Sequence, residues 1–456
     1  MIRAGSSPPR AATLSAMDRS LRAVLLGTFT LRFSTGLTGS MLAFYLAHLN
    51  KTGGLAVDGT VVGLYAALFY IAELVLSPLF GILSDRYGHH RIMLYGPIFG
   101  AVAVVMTGMT SALLLIGGTL VLLGVTRILE GASSAASVPS ILGFIALATA
   151  GDEALRGKTA ARFEGATLAG LALGAIAGGK VFEFFDNLGV GAAAFYLNAV
   201  FYGVSFLIYW LGVKDPAGEE EAVAGEHVRV SRYLELIRTS HVWLLAPTWI
   251  AINAAIGVWL SQSLFQLAKG DSRFADQALM VGFTVNQITV AAIVVALVFG
   301  AGLIYWGNRF KSLRRTTIIG YGILGGAVLV IAGLVVNHLF TVVPLVAVVA
   351  AVVAAGGLFV LAGATPAAIG LLADMSERFP SDRGAIMGLY SVFLALGQIT
   401  GSLIGGVAAD WRGIDGMFIA TLALLGIAVV PLARLRAQEH LLDQTGTDGL
   451  VGAASS

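Results

Sequence analysis

The sequence predicts an all-α integral membrane protein whose twelve transmembrane helices form two pseudo-symmetric six-helix bundles, and three observations predict it. The chain has 456 residues, 57% of them hydrophobic and 12% charged, against about 25% charged in a soluble domain. Apolar runs recur at lengths that suit a bilayer crossing, which takes about 20 residues. The two halves of the chain also repeat each other. The 58 glycines fit the same class, because small residues let membrane helices pack closely.

Taken in order, a polar and basic tail, 1–21, precedes a first span over 22–48. That apolar stretch is too long for the hydrophobic core of a signal peptide, and no cleavage site follows it, so it is read as a retained helix. Spans follow at 60–82, 91–110, 114–146, 160–181 and 191–212, each an apolar run closed by a polar loop. The longest polar interruption, 213–241, carries Glu219, Glu220, Glu221, Arg229, Arg232 and Arg238 and is the predicted linker. The second bundle occupies 242–435, with spans at 242–268, 278–305, 316–336, 340–371, 385–408 and 416–434, before a tail over 436–456. The runs of charge in linker and tail read as solvated segments.

The duplication is read around the fifth and eleventh spans. Aligning Arg156 with Arg383 sets an offset of 383 − 156 = 227, which also pairs Gly157 with Gly384, Gly170 with Gly397, Gly174 with Gly401, Gly178 with Gly405, Gly179 with Gly406, and Pro139 with Pro366. Copies separated by six spans share one orientation, so they imply a pseudo-twofold axis along the membrane normal.

Sidedness follows from lysine and arginine. With a cytoplasmic N-terminus, Arg3, Arg10, Arg19, Arg22, Arg86, Arg91, Arg156, Lys158, Arg162, Lys214, the linker arginines, Arg309, Lys311, Arg314, Arg315, Arg378, Arg383, Arg434 and Arg436 all fall inside. The opposite loops hold Lys51, Lys180, Lys269, Arg273 and Arg412. Both termini are therefore expected in the cytoplasm, and the basic residues are too dispersed to imply nucleic acid.

Chemistry is narrowed by absences. Without cysteine there is no disulfide or thiol catalysis. The histidines show no helical metal-ligand spacing, so neither a metal nor another cofactor is expected. No glycine-lysine-serine phosphate loop is present for ATP-driven pumping, and no catalytic constellation appears, so an enzyme is not expected.

Ionisable residues inside a bilayer are costly and read as functional by default. Four lie well inside predicted spans: Arg32, Glu73, Arg127 and Glu130. Arg32 stands ten residues past Arg22 and Glu73 twelve before Asp85, which places them about 15 and 18 Å deep at 1.5 Å per residue. They can share a depth. Arg127 and Glu130 are three apart, within reach of each other on one helix. Two readings stand side by side, a carboxylate that binds a coupling proton and a permanent ion pair that only neutralises charge. Desolvation favours a protonated carboxylate and a nearby arginine the ionised one, so moving the arginine would load and release a proton.

The second half offers amides and aromatics instead: Asn253, Gln262, Asn286, Gln287, Gln398 and Tyr390 are the candidates for lining a substrate cavity. An apolar pocket with a few hydrogen-bonding groups suits a moderately hydrophobic ligand, although single amides also serve to bridge helices. The glycines at 170, 174, 178 and 179, and at 397, 401, 405 and 406, read either as close helix packing or as a sliding contact between halves.

The loop GILSDRYGHHR, 81–91, resembles the cytoplasmic signature of the major facilitator superfamily, with Gly81, Asp85, Arg86, Gly88 and Arg91 in place. RILEGASSAA in the fourth span is similar to the family's second motif, with Arg127 and Gly131 matched and Glu130 where glutamine is common. GLALGAIAGG, 170–179, resembles the motif of the drug/proton antiporter (export) branches, with Ala175 replacing its proline. The resemblance implies a major facilitator fold and a monomeric secondary transporter working by alternating access. It also implies that Asp85 latches against the start of the eleventh span near Arg383, where a helix N-terminus favours a carboxylate. Proton-coupled export of a small amphipathic solute across a bacterial inner membrane is the first expectation. Nutrient uptake or facilitated diffusion is the second, and a membrane binding protein or sensor without turnover the third.

Overall fold

The computed structural model describes residues 10–52, 55–113, 118–149, 152–214, 242–309, 313–377 and 383–452. Twelve α-helices run through them: α1 (Arg10–Thr52), α2 (Gly59–Tyr87), α3 (His89–Leu113), α4 (Thr119–Ala148), α5 (Glu153–Asn187), α6 (Ala194–Gly212), α7 (Val242–Lys269), α8 (Val285–Gly307), α9 (Arg315–Leu339), α10 (Pro344–Leu361), α11 (Ala364–Glu377) and α12 (Arg383–Gly452). Most of the expected linker, from 215 to 241, lies outside the described residues.

Ten helical stretches among the described residues are long and apolar enough to cross a membrane. The stretch Ser391–Ala437 is 47 residues long and is two crossings, because Arg412 and Gly413 leave helical geometry and Gly413 takes φ 59°. A residue with a side chain is strained there, which explains the glycine. α10 and α11 together make one crossing, Pro344–Leu372. α1 is less apolar than the rest because Thr28, Thr30, Arg32, Ser34, Thr35 and Thr38 punctuate it. With α1 included and α12 taken as two, the expected twelve spans are present. Helix ends run further than the apolar pattern indicates, most of all at the start of α1 and at the end of α12, where the expected tail is helical to Gly452, since adding a residue to an existing helix costs far less than starting one.

The chain divides into two compact units, one of Met1–Leu49 with Leu68–Glu226 and one of Asn50–Ala67 with His227–Ser456. The first turns of α2 thus group with the second unit. What holds them there is visible. Asp410 of α12 accepts from the backbone N–H of Gly59 at 2.6 Å and of Thr60 at 2.8 Å, and from the Thr60 hydroxyl at 2.6 Å. Gln262 of α7 donates to the Gly59 carbonyl at 2.9 Å, and Lys51 to the Ala268 carbonyl at 2.8 Å.

The paired glycine stripes pack inside their own units. A Cβ placed on Gly170, Gly174 or Gly178 of α5 would lie 2.6, 2.1 and 2.7 Å from the carbonyl oxygens of Phe29, Phe33 and Leu37 in α1. On α12, a Cβ at Gly397, Gly401 or Gly405 would lie 2.8, 2.1 and 3.2 Å from the carbonyl oxygens of Ile250, Ala254 and Val258 in α7. The two sets of carbonyls are themselves in register, since 250 − 29, 254 − 33 and 258 − 37 all equal 221. The duplication is therefore geometric as well as sequential. These contacts are backbone packing, the first of the two readings of the stripes.

Polar residues turn inward and large apolar ones outward, as hydrocarbon surroundings require. Asn198 of α6 donates to Ser34 O and Thr38 Oγ1 of α1, and Ser205 to Gly27 O, while Leu211, Ile304, Leu345 and Val352 are exposed.

Candidate functional site

All four buried charges predicted from the sequence lie in the first unit, on α1, α2 and α4. Arg32 of α1 donates from Nη1 to Ser134 Oγ at 3.0 Å, and Ser134 Oγ donates to Glu73 Oε1 of α2 at 2.6 Å. Arg32 is buried and Glu73 half-buried. One hydroxyl thus relays between an arginine and a carboxylate on two other helices. The close approach of α2 and α4 that permits this is set by Gly131, whose added Cβ would fall 2.3 Å from Phe69 O.

One turn before Ser134, Arg127 pairs with Glu130 on the same helix, both buried. Among the described residues Glu130 Oε1 and Arg127 Nε have no hydrogen-bond partner. A buried pair with unfilled hydrogen-bonding capacity is costly to hold and sensitive to change. Tyr70 interacts electrostatically with Glu73, Arg32 and Arg127, and Tyr202 with Arg127 and Arg32.

Sequence reading passed over Glu164 of α5, which is exposed, has Arg32 as a charged neighbour and stands eleven residues past the helix start at Glu153, about 16 Å along the axis. The apolar pattern puts the start of that span near 160; the signal for the longer helix is the capping aspartate Asp152, which accepts from Leu155 N at 2.8 Å.

Of the two motif glycines by the α2–α3 turn, the backbone requires one. Gly88 takes φ 97°, open only to glycine without strain, whereas a Cβ on Gly81 would meet Pro139 at an ordinary 3.8 Å. Asp85 is exposed, with His89 Nε2 at 3.8 Å. Arg86 lies over the Tyr87 ring and Arg91 is exposed. The side chain of Arg383, near the expected latch partner of Asp85, lies outside the described residues.

The amide candidates of the second unit separate into two groups. Asn253, Gln262 and Gln398 are buried. Gln398 Oε1 is without a partner, while its Nε2 reaches the Asn253 carbonyl at 3.5 Å. Asn286 and Gln287 are exposed at the start of α8, where Gln287 and Thr284 close a reciprocal capping box. The side chain of Tyr390 lies outside the described residues. Elsewhere in this unit Asp276, His338 and Asp415 bring one ligand atom each within 4.8 Å of one another. Both Asp415 oxygens are engaged, by Asn337 Nδ2 at 2.9 Å and His338 Nε2 at 2.8 Å, so the group clamps the end of α9 to the kink in α12.

Comparison with known proteins agrees with this architecture. Multidrug resistance protein 1 of Bacillus subtilis is 26% identical over 379 residues, covering 82% of this chain and 87% of its own. The quinolone resistance protein NorA of Staphylococcus aureus is 22% identical over 420 residues, covering 91% and 96%. The crystal structure of a D-xylose-proton symporter superposes with a TM-score of 0.66 at 14% identity, over 90% of this chain and 97% of that one. A sequence profile of the Major Facilitator Superfamily matches residues 24–296 and 276–449, nearly the whole chain, and this protein belongs to that family of membrane transporters.

Proposed function

We propose that this transporter exports a small amphipathic compound from a bacterial cell in exchange for protons, with Glu73 as the proton-binding group. The observation that carries the reading is the Arg32–Ser134–Glu73 relay at membrane depth. In this reading the proton binds Glu73 in the state that separates it from Arg32 and leaves in the state that rejoins them. The buried Arg127–Glu130 pair supplies a second charge pair one turn away, and Glu164 a third carboxylate. Export is supported by the relatives, which are named for drug resistance. The amides Asn253, Gln262 and Gln398, with Tyr390, are assigned to the substrate cavity. Asp85 is assigned to the cytoplasmic latch, with both termini cytoplasmic and the protein a monomer in the inner membrane. No covalent reaction and no cofactor enter the cycle.

Uptake is the second reading. Ala175 stands where the export motif carries proline, and its backbone nitrogen would lie 3.0 Å from a Cβ on Gly36, so α5 runs unbroken past this point.

Reconstituted vesicles with an imposed pH gradient separate the two. Export predicts that a fluorescent amphipathic cation moves against an oppositely directed proton gradient. It also predicts that Glu73→Gln abolishes gradient-driven movement while leaving downhill exchange. Full gradient-driven transport by Glu73→Gln would remove that residue from the role, and substrate moving with the protons would establish uptake.

A further inference from the structure

The second unit carries a feature lined by none of the residues assigned above to transport. An open groove of about 410 Å³ runs along α8, α9 and α10, lined by Trp306, Tyr321, Leu324, Val328, Val353 and Gly356, among others. Its walls are apolar apart from the Tyr321 hydroxyl, because Trp306 Nε1 is already given to Phe359 O at 3.1 Å. Its floor is cut by glycines. Gly325 and Gly357 bring α9 and α10 to backbone contact, each placing an added Cβ within 2.7 Å of the other's carbonyl oxygen, whereas a Cβ on Gly356 would meet nothing within 4 Å. Gly356 therefore leaves space that no packing requires. From Tyr321 to Val328 the groove extends about 10 Å along α9, and Leu324 and Val353 beside it are exposed, as on a face that meets hydrocarbon.

The polar end of this groove is strongly basic. Between α8 and α9 the sequence over 308–315 contains Arg309, Lys311, Arg314 and Arg315 and no acidic residue, and 310–312 lie outside the described residues. In the first half the motif by the turn between α2 and α3 carries Asp85. Arg309 lies 5.0 Å from the centre of the Tyr305 ring and donates to its hydroxyl at 3.2 Å, and Tyr305 packs on Trp306 at 5.4 Å. The cationic turn and the apolar groove are thus joined through two aromatic side chains. Arg314, beside it at the start of α9, is exposed.

We propose that this groove holds an anionic phospholipid of the surrounding bilayer, one acyl chain lying along Tyr321, Val328, Val353 and Gly356 and the phosphate resting at Arg309 and Arg314. An acyl chain matches the long, apolar and laterally open shape. A negative headgroup matches Arg309 and Arg314, since arginine and lysine clustered beside a membrane span attract anionic lipid. The site is independent of which way the solute moves.

The test is native mass spectrometry of the full-length protein released from nanodiscs of phosphatidylglycerol and phosphatidylethanolamine in equal amounts. The wild type is expected to retain phosphatidylglycerol preferentially. Gly356→Leu fills the groove and Arg309→Gln/Arg314→Gln removes two charges, and each should lower that retention about tenfold. Val348→Leu, on an exposed face of the same helix, should leave it unchanged. Equal retention of both lipids by the wild type overturns the proposal, as does wild-type retention by Gly356→Leu. Should a variant fail to fold, the wild-type protein alone decides. Its melting temperature must rise more with added phosphatidylglycerol than with phosphatidylethanolamine, and an equal rise overturns the site.

Discussion

Gly174 of α5 meets the backbone of Phe33 in α1 so closely that a β-carbon would sit 2.1 Å from the Phe33 carbonyl oxygen. Gly401 of α12 meets Ala254 of α7 at the same 2.1 Å. In each case the neighbour is backbone, which cannot rotate aside, so the helices must separate to admit a methyl group. Gly174→Ala and Gly401→Ala are each expected to destabilise the protein by about 1–3 kcal/mol, read as a lower melting temperature in detergent. Gly165→Ala, at an α5 position where a Cβ meets nothing within 4 Å, is the control. Equal melting of Gly174→Ala and the control would refute the contact.

Ser134 is the member of the relay whose loss tests it most directly. Ser134→Ala removes a donor to Glu73 and an acceptor for Arg32 without changing charge. Gradient-driven transport is expected to fall by about a hundredfold, within the range for losing a positioned proton-transfer group. Ser134→Thr, which keeps the hydroxyl, should retain a substantial part. Initial rates in vesicles at fixed pH gradient check both, and an unimpaired Ser134→Ala would break the link between Arg32 and Glu73.

How far this site was legible from sequence depends on the kind of signal. Arg32 and Glu73 announce themselves because charge is rare in apolar helices, and counting from Arg22 and Asp85 gives their depth. The glycine stripes are legible for a similar reason, since spacing four marks one face and the offset of 227 repeats it. Ser134 gives no such signal, because hydroxyls are common in membrane helices and its position between two charges exists only in three dimensions. Glu164 was obscured by helical turns that extend beyond the apolar pattern. The clamp of Asp276, His338 and Asp415 joins residues more than sixty positions apart, a separation that local spacing does not reveal.

Asp410 caps α2 from another helix, with its two oxygens accepting from Gly59 N, Thr60 N and Thr60 Oγ1. A carboxylate at a helix N-terminus satisfies otherwise orphaned N–H groups and meets the positive end of the dipole. Asp410→Ala is expected to cost about 1–2 kcal/mol, with faster hydrogen exchange concentrated at the amides of Gly59 and Thr60. Unchanged exchange there would show that the cap contributes nothing.

The α7–α8 loop contains a titratable contact in water. Asp271 accepts from Arg273 Nη2 at 2.7 Å and Nε at 3.1 Å. The hydrogen bonds from the Arg273 side chain hold its carboxyl below the usual carboxylate range. A group whose folded value is depressed contributes stability above its unfolded value, about 3.9 for aspartate, and loses that contribution as pH falls through the folded value. The melting difference between wild type and Asp271→Asn should therefore be constant at neutral pH and shrink only below about pH 4. A difference that instead grew on acidification would contradict the contact.

The Arg127–Glu130 pair separates a structural role from a functional one. Glu130→Gln strands a buried guanidinium and is expected to cost about 3–5 kcal/mol, whereas replacing both partners by apolar residues of similar volume is often neutral or stabilising. The double variant Arg127→Met/Glu130→Met should accordingly recover the melting temperature lost in Glu130→Gln. If the pair only neutralised charge, transport would return with the fold. Ionisable groups held at membrane depth are costly and mark function by default, which argues otherwise. The double variant is therefore expected to fold, to bind its solute and to show no gradient-driven movement, and gradient-driven transport at the wild-type rate would reduce the pair to scaffolding.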